Sequence, residues 1–559
     1  MRDRVLVEQP AHPPRPVHHG AVALGTIAAL AGADAGASAD MAVTGASLDS
    51  RTVLPGDLYI ALPGAHAHGA AFAASAVSAG AVAVLTDDAG TRQLGDALPV
   101  PVLGCPDPRG ATGAVAALIY GGAGDMPLFG VTGTNGKTTT TYFVNSLLRA
   151  LGKTTGLIGT IEILAGDEPI PSKLTTPEST DVHALLAVMA ERGLGAASME
   201  VSSHALAFGR VDSVVFDVAG FTNLTQDHLD LHGGMGGYYA TKARLFTPEH
   251  AKRAVVTVDD PWGRRMAAEA TVPVRTLATG QQAGTDQAGP DQAAPADADW
   301  RVSRMRRDGI GSRFELHGPD GAFLAVHTGL AGDFNVSNAA LALVMVAEQL
   351  LADAGPGAAA RTDAVPAVQT ALQEALDTHD PFTVDVPGRM QLVGTAPVAV
   401  VDFAHNPDAL KRALVAVRSP EAGSQVIVVF GATGERDATK RPIMGAVAVE
   451  GADVVIITDD DPHDEDPAAI RADVLQGAVQ ANEGRARGRR IEEFDRRADA
   501  IFRAVELAGP GDTILVAGRG HEVHQEVKGV NVALDDRVEL RSALDHFGFP
   551  AATASRIES

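Results

Sequence analysis

The sequence predicts an α/β protein built on parallel β-sheets. Short apolar runs alternate with longer segments of helical periodicity, which is typical of βα units. Runs such as Val426–Phe430 and Ile514–Ala517 show little polar alternation, as expected of strands that are covered on both faces. At 559 residues the chain is too long for one hydrophobic core, so we expect several domains.

Polar side chains follow the predicted strands within a few residues. The strand candidates are Leu128–Val131, Ala196–Val201, Val214–Phe221, Val398–Val401, Val426–Phe430, Val454–Ile457 and Ile514–Ala517. Asp402 follows the run that ends at Val401, for example, and Arg436 follows the run that ends at Phe430. Open α/β sheets bind ligands at the carboxyl ends of their strands, so this pattern indicates an enzyme.

Composition excludes several classes of function. The formal net charge of −24 argues against a nucleic-acid partner, because an acidic protein repels phosphate backbones. The single cysteine, Cys105, excludes an internal disulfide and a multi-cysteine metal site. No apolar run is long enough to span a membrane, and the N-terminus lacks the apolar core of a signal peptide. We therefore expect a cytoplasmic protein without a membrane span.

Two segments have the composition of irregular structure. Residues 1–20 are rich in proline and histidine and are expected to form a disordered tail. Residues 278–299, with the sequence ATGQQAGTDQAGPDQAAPADAD, have no periodic apolar face. That stretch predicts a flexible surface insertion.

The segment GVTGTNGKT at 130–138 has the composition of a phosphate-binding loop. It lies between a predicted strand and a helix that is expected to start near Thr139. Glycines let the backbone turn tightly and direct N–H groups at phosphate oxygens. Lys137 is placed to reach the terminal phosphates, and the Thr138 hydroxyl to bind Mg²⁺. Val131 occupies the place of the usual first glycine, so the loop is a variant of the P-loop, and it predicts ATP as a substrate.

This loop resembles that of the Mur ligase family and of the related folylpolyglutamate synthases. Further segments match the family in the same order: LDSR (48–51), PGDLYIALPG (55–64), MEVSSH (199–204), FTNLTQDHLD (221–230), DFNVSN (333–338), PGRM (387–390), DFAHNP (402–407) and GRGHE (518–522). The resemblance covers roughly residues 40 to 545. It implies an ATP-dependent ligase that adds the third amino acid to the peptidoglycan precursor peptide, an activity that serves cell wall synthesis, cell shape and division.

The resemblance also implies a three-domain Mur ligase architecture. A UDP-substrate-binding domain is expected at 21–126, and a central P-loop ATPase domain at 127–386, which would carry the flexible insertion. A Rossmann-like C-terminal domain at 387–559 would bind the incoming amino acid. Chemistry is expected where the domains meet, so domain closure would be part of the cycle.

The implied reaction passes through an acyl phosphate and needs Mg²⁺ beside ATP. The catalytic residues that the resemblance implies are Lys137, Glu200, His228, Lys242 and Arg389, and the metal ligands are Thr138, Glu200, His228 and Lys242. Lys242 would act as a carbamate (N6-carboxylysine), although its local sequence is that of a surface lysine. Glu200 ends a buried strand, which suits a metal ligand, and a structural ion pair is the alternative. A structural hydrogen bond is the alternative for His204 and His228.

The resemblance implies contacts for each substrate. The expected ATP-binding residues are Gly133, Thr134, Asn135, Gly136, Lys137, Thr138, Thr139, Asn335, Asp402 and His405. Those expected to bind the UDP-linked substrate, UDP-MurNAc-L-Ala-D-Glu, are Leu48, Ser50, Gly64, Ala65, His66, Thr175, Thr176, Ser202 and Arg210. Those expected to bind the amino acid are Arg436, Asp460, Asp461, His463, Gly518 and Glu522.

The loop around Asp461 bears on the choice of amino acid. Family members that add meso-diaminopimelate carry Asp-Asn-Pro-Arg where this chain has DDPH at 460–463. A carboxylate at 461 is expected to repel a second carboxylate of the substrate, and His463 lacks the bidentate fork of arginine. L-lysine is therefore the expected substrate, with ornithine or diaminobutyrate next. The alternative is that diaminopimelate binds through other groups.

Other functions stay open on the sequence. A sibling ligase would add D-Ala-D-Ala, or glutamate to folate. A P-loop NTPase that acts as a regulatory binding module would need no amino-acid pocket, and Arg436, Glu522 and the loop 458–465 argue against it. A monomer is expected.

Overall fold

A computed structural model describes residues 14–64, 67–170, 174–227, 232–280, 297–355, 357–484, 488–550 and 552. Within these residues three parallel or mixed sheets follow one another along the chain. Each sheet falls inside one of the ranges expected for a domain, and the domain boundaries themselves stay predictions.

The first sheet has four parallel strands in sequence order: β3 (Gly45–Ser47), β4 (Asp57–Ala61), β5 (Ala83–Thr86) and β6 (Val102–Gly104). A short antiparallel pair, β1 (Val22–Ala23) and β2 (Ala42–Val43), precedes it. The helices of this part are Leu24–Ala31, Ala73–Ala79, Asp88–Leu94 and Pro108–Tyr120, with 3₁₀ turns at Gly36–Ser38 and Gly69–Phe72.

The second sheet has eleven strands in the order β10-β9-β8-β11-β7-β12-β13-β14-β15-β16-β17. They are β7 (Leu128–Thr132), β8 (Thr155–Ile158), β9 (Ile163–Ala165), β10 (Glu168–Ile170), β11 (Ala196–Glu200), β12 (Val218–Phe221), β13 (Ala254–Thr257), β14 (Val274–Ala278), β15 (Trp300–Asp308), β16 (Gly311–His317) and β17 (Phe323–Thr328). The strands from β8 to β15 in this order pair in parallel, and the two ends of the sheet are antiparallel.

Helices cover both faces of this sheet. They are Lys137–Ala150, Ser179–Glu191, Ser203–Ala207, Met235–Ala243, Pro261–Glu269, Asp333–Asp353 and Ala358–His379, with 3₁₀ turns at Arg244–Phe246, Pro319–Gly321 and Pro381–Thr383. Asp333–Asp353 is the one helix among the described residues that is long and apolar enough to cross a membrane, and 83% of its apolar window is buried inside the protein. It packs against Lys137–Ala150, so core packing accounts for its composition.

The third sheet has six strands in the order β18-β19-β23-β20-β21-β22. They are β18 (Gln391–Thr395), β19 (Val398–Asp402), β20 (Val426–Phe430), β21 (Val454–Ile457), β22 (Arg490–Glu493) and β23 (Thr513–Ala517), and only β18 pairs antiparallel. A separate hairpin follows, β24 (His524–Val527) with β25 (Val530–Ala533). The helices are Pro407–Val417, Lys440–Gly451, Pro467–Gly484, Arg497–Leu507 and Asp536–His546.

Part of the predicted tail contacts the protein. Residues 1–13 lie outside the described residues. Arg15 forms an ion pair with Asp57 at 3.3 Å, and the amides of Val17 and His18 donate to the carboxylate of Glu191 at 2.8 and 2.7 Å. Residues 14–20 are therefore held against the protein, which corrects the expectation of a disordered tail for this part. Most of the predicted insertion, 281–296, also lies outside the described residues.

Candidate functional site

The phosphate-binding loop connects β7 to the helix Lys137–Ala150, which begins two residues earlier than the expected Thr139. Gly133 has a φ of 143°, and a Cβ there would lie 1.9 Å from the Thr222 hydroxyl oxygen. Glycine is required at this position on both counts. The Lys137 ammonium donates to the carbonyls of Gly133 and Thr134 at 3.1 and 2.9 Å. The loop thus presents a lysine and a helix N-terminus, which together suit a polyphosphate.

Glu200 lies at the end of β11, next to β7 in the sheet, and is 1% exposed. One carboxylate oxygen accepts from the Thr138 hydroxyl at 2.9 Å. The other accepts from the Thr160 amide at 2.7 Å. Carboxylate and hydroxyl oxygens are the ligands that Mg²⁺ prefers, so this buried pair fits a magnesium site.

Lys242 lies beneath the phosphate-binding loop, on the helix Met235–Ala243, and is 1% exposed. Its ammonium donates to the Gly133 carbonyl at 2.8 Å and lies 4.6 Å from the centre of the Tyr238 ring. Burial, and then the nearby Lys137 ammonium, lower its pKa well below the usual value. The surface position that its local sequence suggested is therefore wrong. The other expected metal ligand, His228, lies outside the described residues.

Arg389 connects the third sheet to the phosphate-binding loop. Its guanidinium donates to the Thr138 hydroxyl oxygen at 3.3 Å and lies 4.1 Å from the centre of the Phe403 ring. Burial lowers the pKa of Arg389. The Asp402 carboxylate accepts from the Met390 amide at 2.7 Å, and burial raises its pKa. These contacts fix the PGRM segment against β19.

His405 and its neighbours form a second connection to the phosphate-binding loop. The Nδ1 atom of His405 lies 2.8 Å from the Phe403 carbonyl, and burial lowers the pKa of His405. Asn406 donates to the Asn135 side chain at 3.3 Å, which in turn donates to Asp408 at 3.4 Å. Sequence reasoning missed both residues, although Asn406 lies in the DFAHNP motif and Asp408 directly follows it.

A cavity of about 660 Å³ brings most of the expected residues together. Its lining includes Thr134, Asn135, Gly136, Lys137, Thr138, Thr139, Thr175, Thr176, Glu200, Ser202, Arg210, Lys242, Asn335, Arg389, Asp402, His405, Arg436 and Glu522. Thr160, His204, Asp227, Asn338 and Arg412 also line it, and of these only His204 was weighed from the sequence. The phosphate-binding loop therefore lines the same cavity as Arg436 and Glu522, two residues expected to bind the amino acid.

Two of the expected peptide-binding residues, Thr176 and Arg210, lie close to the backbone of Glu200. The Thr176 hydroxyl donates to the Glu200 carbonyl at 2.9 Å. Arg210 donates to the Thr176 carbonyl at 3.2 Å and forms an ion pair with Glu178 at 2.8 Å. Glu178 was not predicted, and it holds the Arg210 fork beside the cavity.

The expected uridine-binding residues lie apart from this cavity. Leu48 and Ser50 follow the first strand of the first sheet, and Gly64 follows its second strand. None of the three is among the residues that line the cavity. Ala65 and His66 lie outside the described residues.

The loop around Asp461 differs from expectation. The Asp461 carboxylate accepts a hydrogen bond from Arg519, which is fully buried, and another from the Glu526 amide at 3.0 Å. Asp461 is thus paired with a buried arginine, a partner that the expectation of repulsion between Asp461 and a second substrate carboxylate did not include. His463, with a φ of 50°, lies with Nδ1 3.2 Å from the Glu526 carboxylate.

The residues around Gly518 complete this region. A Cβ at Gly518 would lie 2.6 Å from an Asp460 carboxylate oxygen, so only glycine fits there. Asp460, Asp461, His463 and Gly518 are not among the residues that line the cavity, whereas Glu522 is. Burial and the Asp460 carboxylate raise the pKa of Glu522 to about 8.

Comparison with known proteins agrees with these features. Residues 42–118 match the model of the Mur ligase family catalytic domain, 131–346 that of the Mur ligase middle domain, and 388–520 that of the Mur ligase glutamate ligase domain. A UDP-N-acetylmuramoyl-L-alanyl-D-glutamate–2,6-diaminopimelate ligase from Streptomyces coelicolor is 46% identical over 95% of this chain and 98% of its own length. A UDP-N-acetylmuramyl-tripeptide synthetase from Leifsonia xyli is 44% identical over 96% of this chain and 98% of its own.

Solved structures show the same architecture. The structure of a UDP-N-acetylmuramoyl-L-alanyl-D-glutamate–2,6-diaminopimelate ligase aligns with a TM-score of 0.58 and 31% identity, over 94% of this chain and 99% of that chain. A MurF ligase from Thermotoga maritima in complex with ADP aligns with a TM-score of 0.58 at 17% identity, over 90% of this chain and 99% of that chain. The second likeness supports the fold alone.

Proposed function

This chain belongs to the Mur ligase family, whose members are ATP-dependent ligases, and we propose that it joins a diamino acid to UDP-MurNAc-L-Ala-D-Glu in peptidoglycan synthesis. One observation carries the proposal. Lys137 of the phosphate-binding loop lines the same cavity as Arg436 and Glu522 from the third sheet. A nucleotide and a zwitterionic amino acid can therefore meet in one space, as ligation requires.

The proposed reaction activates the D-glutamate side-chain carboxylate. That carboxylate attacks the γ-phosphorus of ATP, ADP leaves, and an acyl phosphate forms. The amine of the diamino acid then attacks the acyl carbon, phosphate leaves, and the amine loses a proton as the amide forms. Lys137 and Arg389 would hold the phosphate oxygens, because both cations lie at the Thr138 end of the cavity.

Mg²⁺ fits the buried oxygen pair of Thr138 and Glu200. Bound there, the ion would neutralise crowded phosphate oxygens. The resemblance to the family further implies a carbamate on Lys242 as a magnesium ligand, and His228 as a ligand of a second Mg²⁺. The low pKa of Lys242 supports the carbamate, since only a neutral amine adds carbon dioxide.

We further propose 2,6-diaminopimelate as the amino acid, in place of the lysine expected from the sequence. The relatives from Streptomyces coelicolor and Corynebacterium glutamicum carry that substrate in their names. The argument for lysine depended on repulsion by the Asp461 carboxylate and on His463 in place of an arginine, and Asp461 is paired with Arg519. The second carboxylate of diaminopimelate therefore meets no free carboxylate at position 461.

The test is phosphate release from ATP, Mg²⁺ and UDP-MurNAc-L-Ala-D-Glu with one amine at a time: meso-diaminopimelate, lysine, ornithine, diaminobutyrate or D-Ala-D-Ala. We expect release with meso-diaminopimelate, and none from the Lys137→Ala variant. Phosphate release with lysine alone would support the proposed ligase activity and contradict diaminopimelate as the substrate. Release with D-Ala-D-Ala alone would indicate the D-Ala-D-Ala-adding ligase. If no amine stimulates phosphate release, the alternative of a regulatory NTPase is favoured.

A further inference from the structure

Arg519 is a buried arginine that does not itself line the cavity but lies beside Glu522, which does. It lies in the segment that follows β23 and is 0% exposed. Removing a guanidinium from water is costly unless anions surround it. Three carboxylates do so: Asp461 accepts a hydrogen bond from Nη1, and oxygens of Glu522 and Asp460 lie 3.7 and 3.9 Å away.

The same arginine joins three segments. Its Nη2 donates to the carbonyl of His524, at the start of the hairpin strand β24. The amide of Glu526 donates to Asp461 at 3.0 Å, and the amide of Lys528 donates to the His463 carbonyl at 2.9 Å. The guanidinium thereby holds three segments together: the loop 458–465, the segment that carries Glu522, and the hairpin.

We propose that Arg519 is a positioning residue for the incoming amino acid, which it serves by holding Glu522 toward the cavity and by fixing the loop at Asp461. Of the three surrounding carboxylates, Glu522 is the one that lines the cavity with Lys137. An ionised Glu522 can accept hydrogen bonds from an ammonium group of the substrate. This inference depends on the proposed function.

The charges around Glu522 also support a role for Arg519 in keeping Glu522 ionised. Burial and the carboxylates of Asp460 and Asp461 favour its protonated form, whereas the Arg519 and Arg389 guanidinium groups favour the ionised form. Arg497 also faces it, and is itself paired with Asp536. Without Arg519, Glu522 would hold its proton to higher pH and bind an ammonium less well.

The decisive variants are Arg519→Met and Arg519→Lys, compared with the intact enzyme in the phosphate-release assay. Truncating one partner of a buried charge pair predicts a rise of about 30-fold or more in the KM for the amino acid. The KM values for ATP and for the UDP-linked substrate should stay unchanged. The pH at which the KM for the amino acid improves should move upward in Arg519→Met, and Arg519→Lys should restore part of both effects.

Two further variants make the result specific. Arg503→Met removes an arginine whose pairs with Glu492 and Glu506 lie apart from the cavity, and it should leave all three KM values within about 2-fold. Arg519→Met with Asp461→Asn removes one charge of each sign and should recover folding if the single variant loses it. If Arg519→Met does not fold, Arg519→Lys decides the question.

Equal rises in all three KM values would overturn the role of Arg519. So would an unchanged KM for the amino acid in Arg519→Met, or in Arg519→Lys where Arg519→Met does not fold. Failure of the proposed function would look different, because the unmodified enzyme would then release no phosphate with any amino acid.

Discussion

The Thr138 hydroxyl donates to the Glu200 carboxylate across 2.9 Å, and this contact joins the first turn of the helix Lys137–Ala150 to the end of β11. The two meet because β7 and β11 are parallel neighbours, with Val131 opposite Glu200. Their carboxyl ends therefore reach the same edge of the sheet.

Glu200→Gln should lower ligase activity by about 100-fold or more, because it removes the negative charge at the proposed metal site while keeping the shape of the side chain. Activity should also require more Mg²⁺. Steady-state phosphate release at a series of Mg²⁺ concentrations measures both. Glu269→Gln is the matched control, since Glu269 accepts from the Tyr239 hydroxyl at 2.8 Å and does not line the cavity. Equal activity in the two variants would contradict a metal role for Glu200.

Lys242 should be carbamylated in the active enzyme. Burial lowers its pKa, so a larger fraction of the amine is neutral near pH 7 and can add carbon dioxide. Carbon-labelled bicarbonate should give a carbamate signal by nuclear magnetic resonance, and Lys242→Ala should lose both that signal and ligase activity. Lys252→Ala provides the comparison, because Lys252 is exposed and paired with Asp217 at 2.7 Å. A signal that survives in Lys242→Ala would place the carbamate elsewhere.

The affinity for the amino acid should improve as the pH rises through about 8. Glu522 has a pKa raised to about 8, so its carboxyl group is mostly protonated below that pH and ionised above it. The ionised form accepts more strongly from an ammonium group, because the hydrogen bond then joins opposite charges. The KM for the diamino acid, measured from pH 7 to pH 9, should fall in the unmodified enzyme and stay flat in Glu522→Gln. A parallel fall in the variant would assign the titration to another group.

The parallel sheets could be predicted because burial on both faces leaves a local signature. Val426–Phe430 is a strand with the predicted bounds. The predicted run Val214–Phe221 is wrong at its start, where the strand begins only at Val218. Val214 and Phe216 are nevertheless buried, at 2% and 1% exposure. Their apolar character therefore reflects a position in the core and does not require a strand.

The errors at the site arose from contacts that no local pattern encodes. Asp461 and Arg519 are 58 residues apart, and the sequence around neither residue predicts that they pair. Lys242 resembles a surface lysine because its contact with the Gly133 carbonyl is 109 residues away in sequence and leaves no trace in the residues beside it on the helix. Glu200 was easier to place, since a carboxylate at the end of a buried strand has a high desolvation cost that a metal or donors must offset.

The stacking of Arg389 on Phe403 should contribute to phosphate binding. The guanidinium lies 4.1 Å from the ring centre, and a desolvated contact of this kind is worth about 1–2 kcal/mol. Phe403→Leu should lower kcat/KM by roughly 5- to 30-fold, whereas Phe403→Tyr keeps the ring and should retain activity. Phe502→Leu, at an aromatic side chain that is 39% exposed, is the control. Equal losses in the Leu and Tyr variants at 403 would mean that packing, and not the ring face, matters there.

The ion pair of Arg497 and Asp536 should be essential to the stability of the third sheet. Both side chains are 0% exposed, and Arg497 donates to the two carboxylate oxygens at 2.7 and 2.8 Å. Asp536→Ala would leave a buried guanidinium without its counter-charge and should cost about 3–5 kcal/mol of unfolding free energy. Urea unfolding measures the loss. Asp499→Ala removes an exposed pair with Arg496, at 50% and 73% exposure, and should cost about 0.5 kcal/mol or less. Similar losses in both variants would show that solvent reaches Arg497, because water would then replace the missing carboxylate.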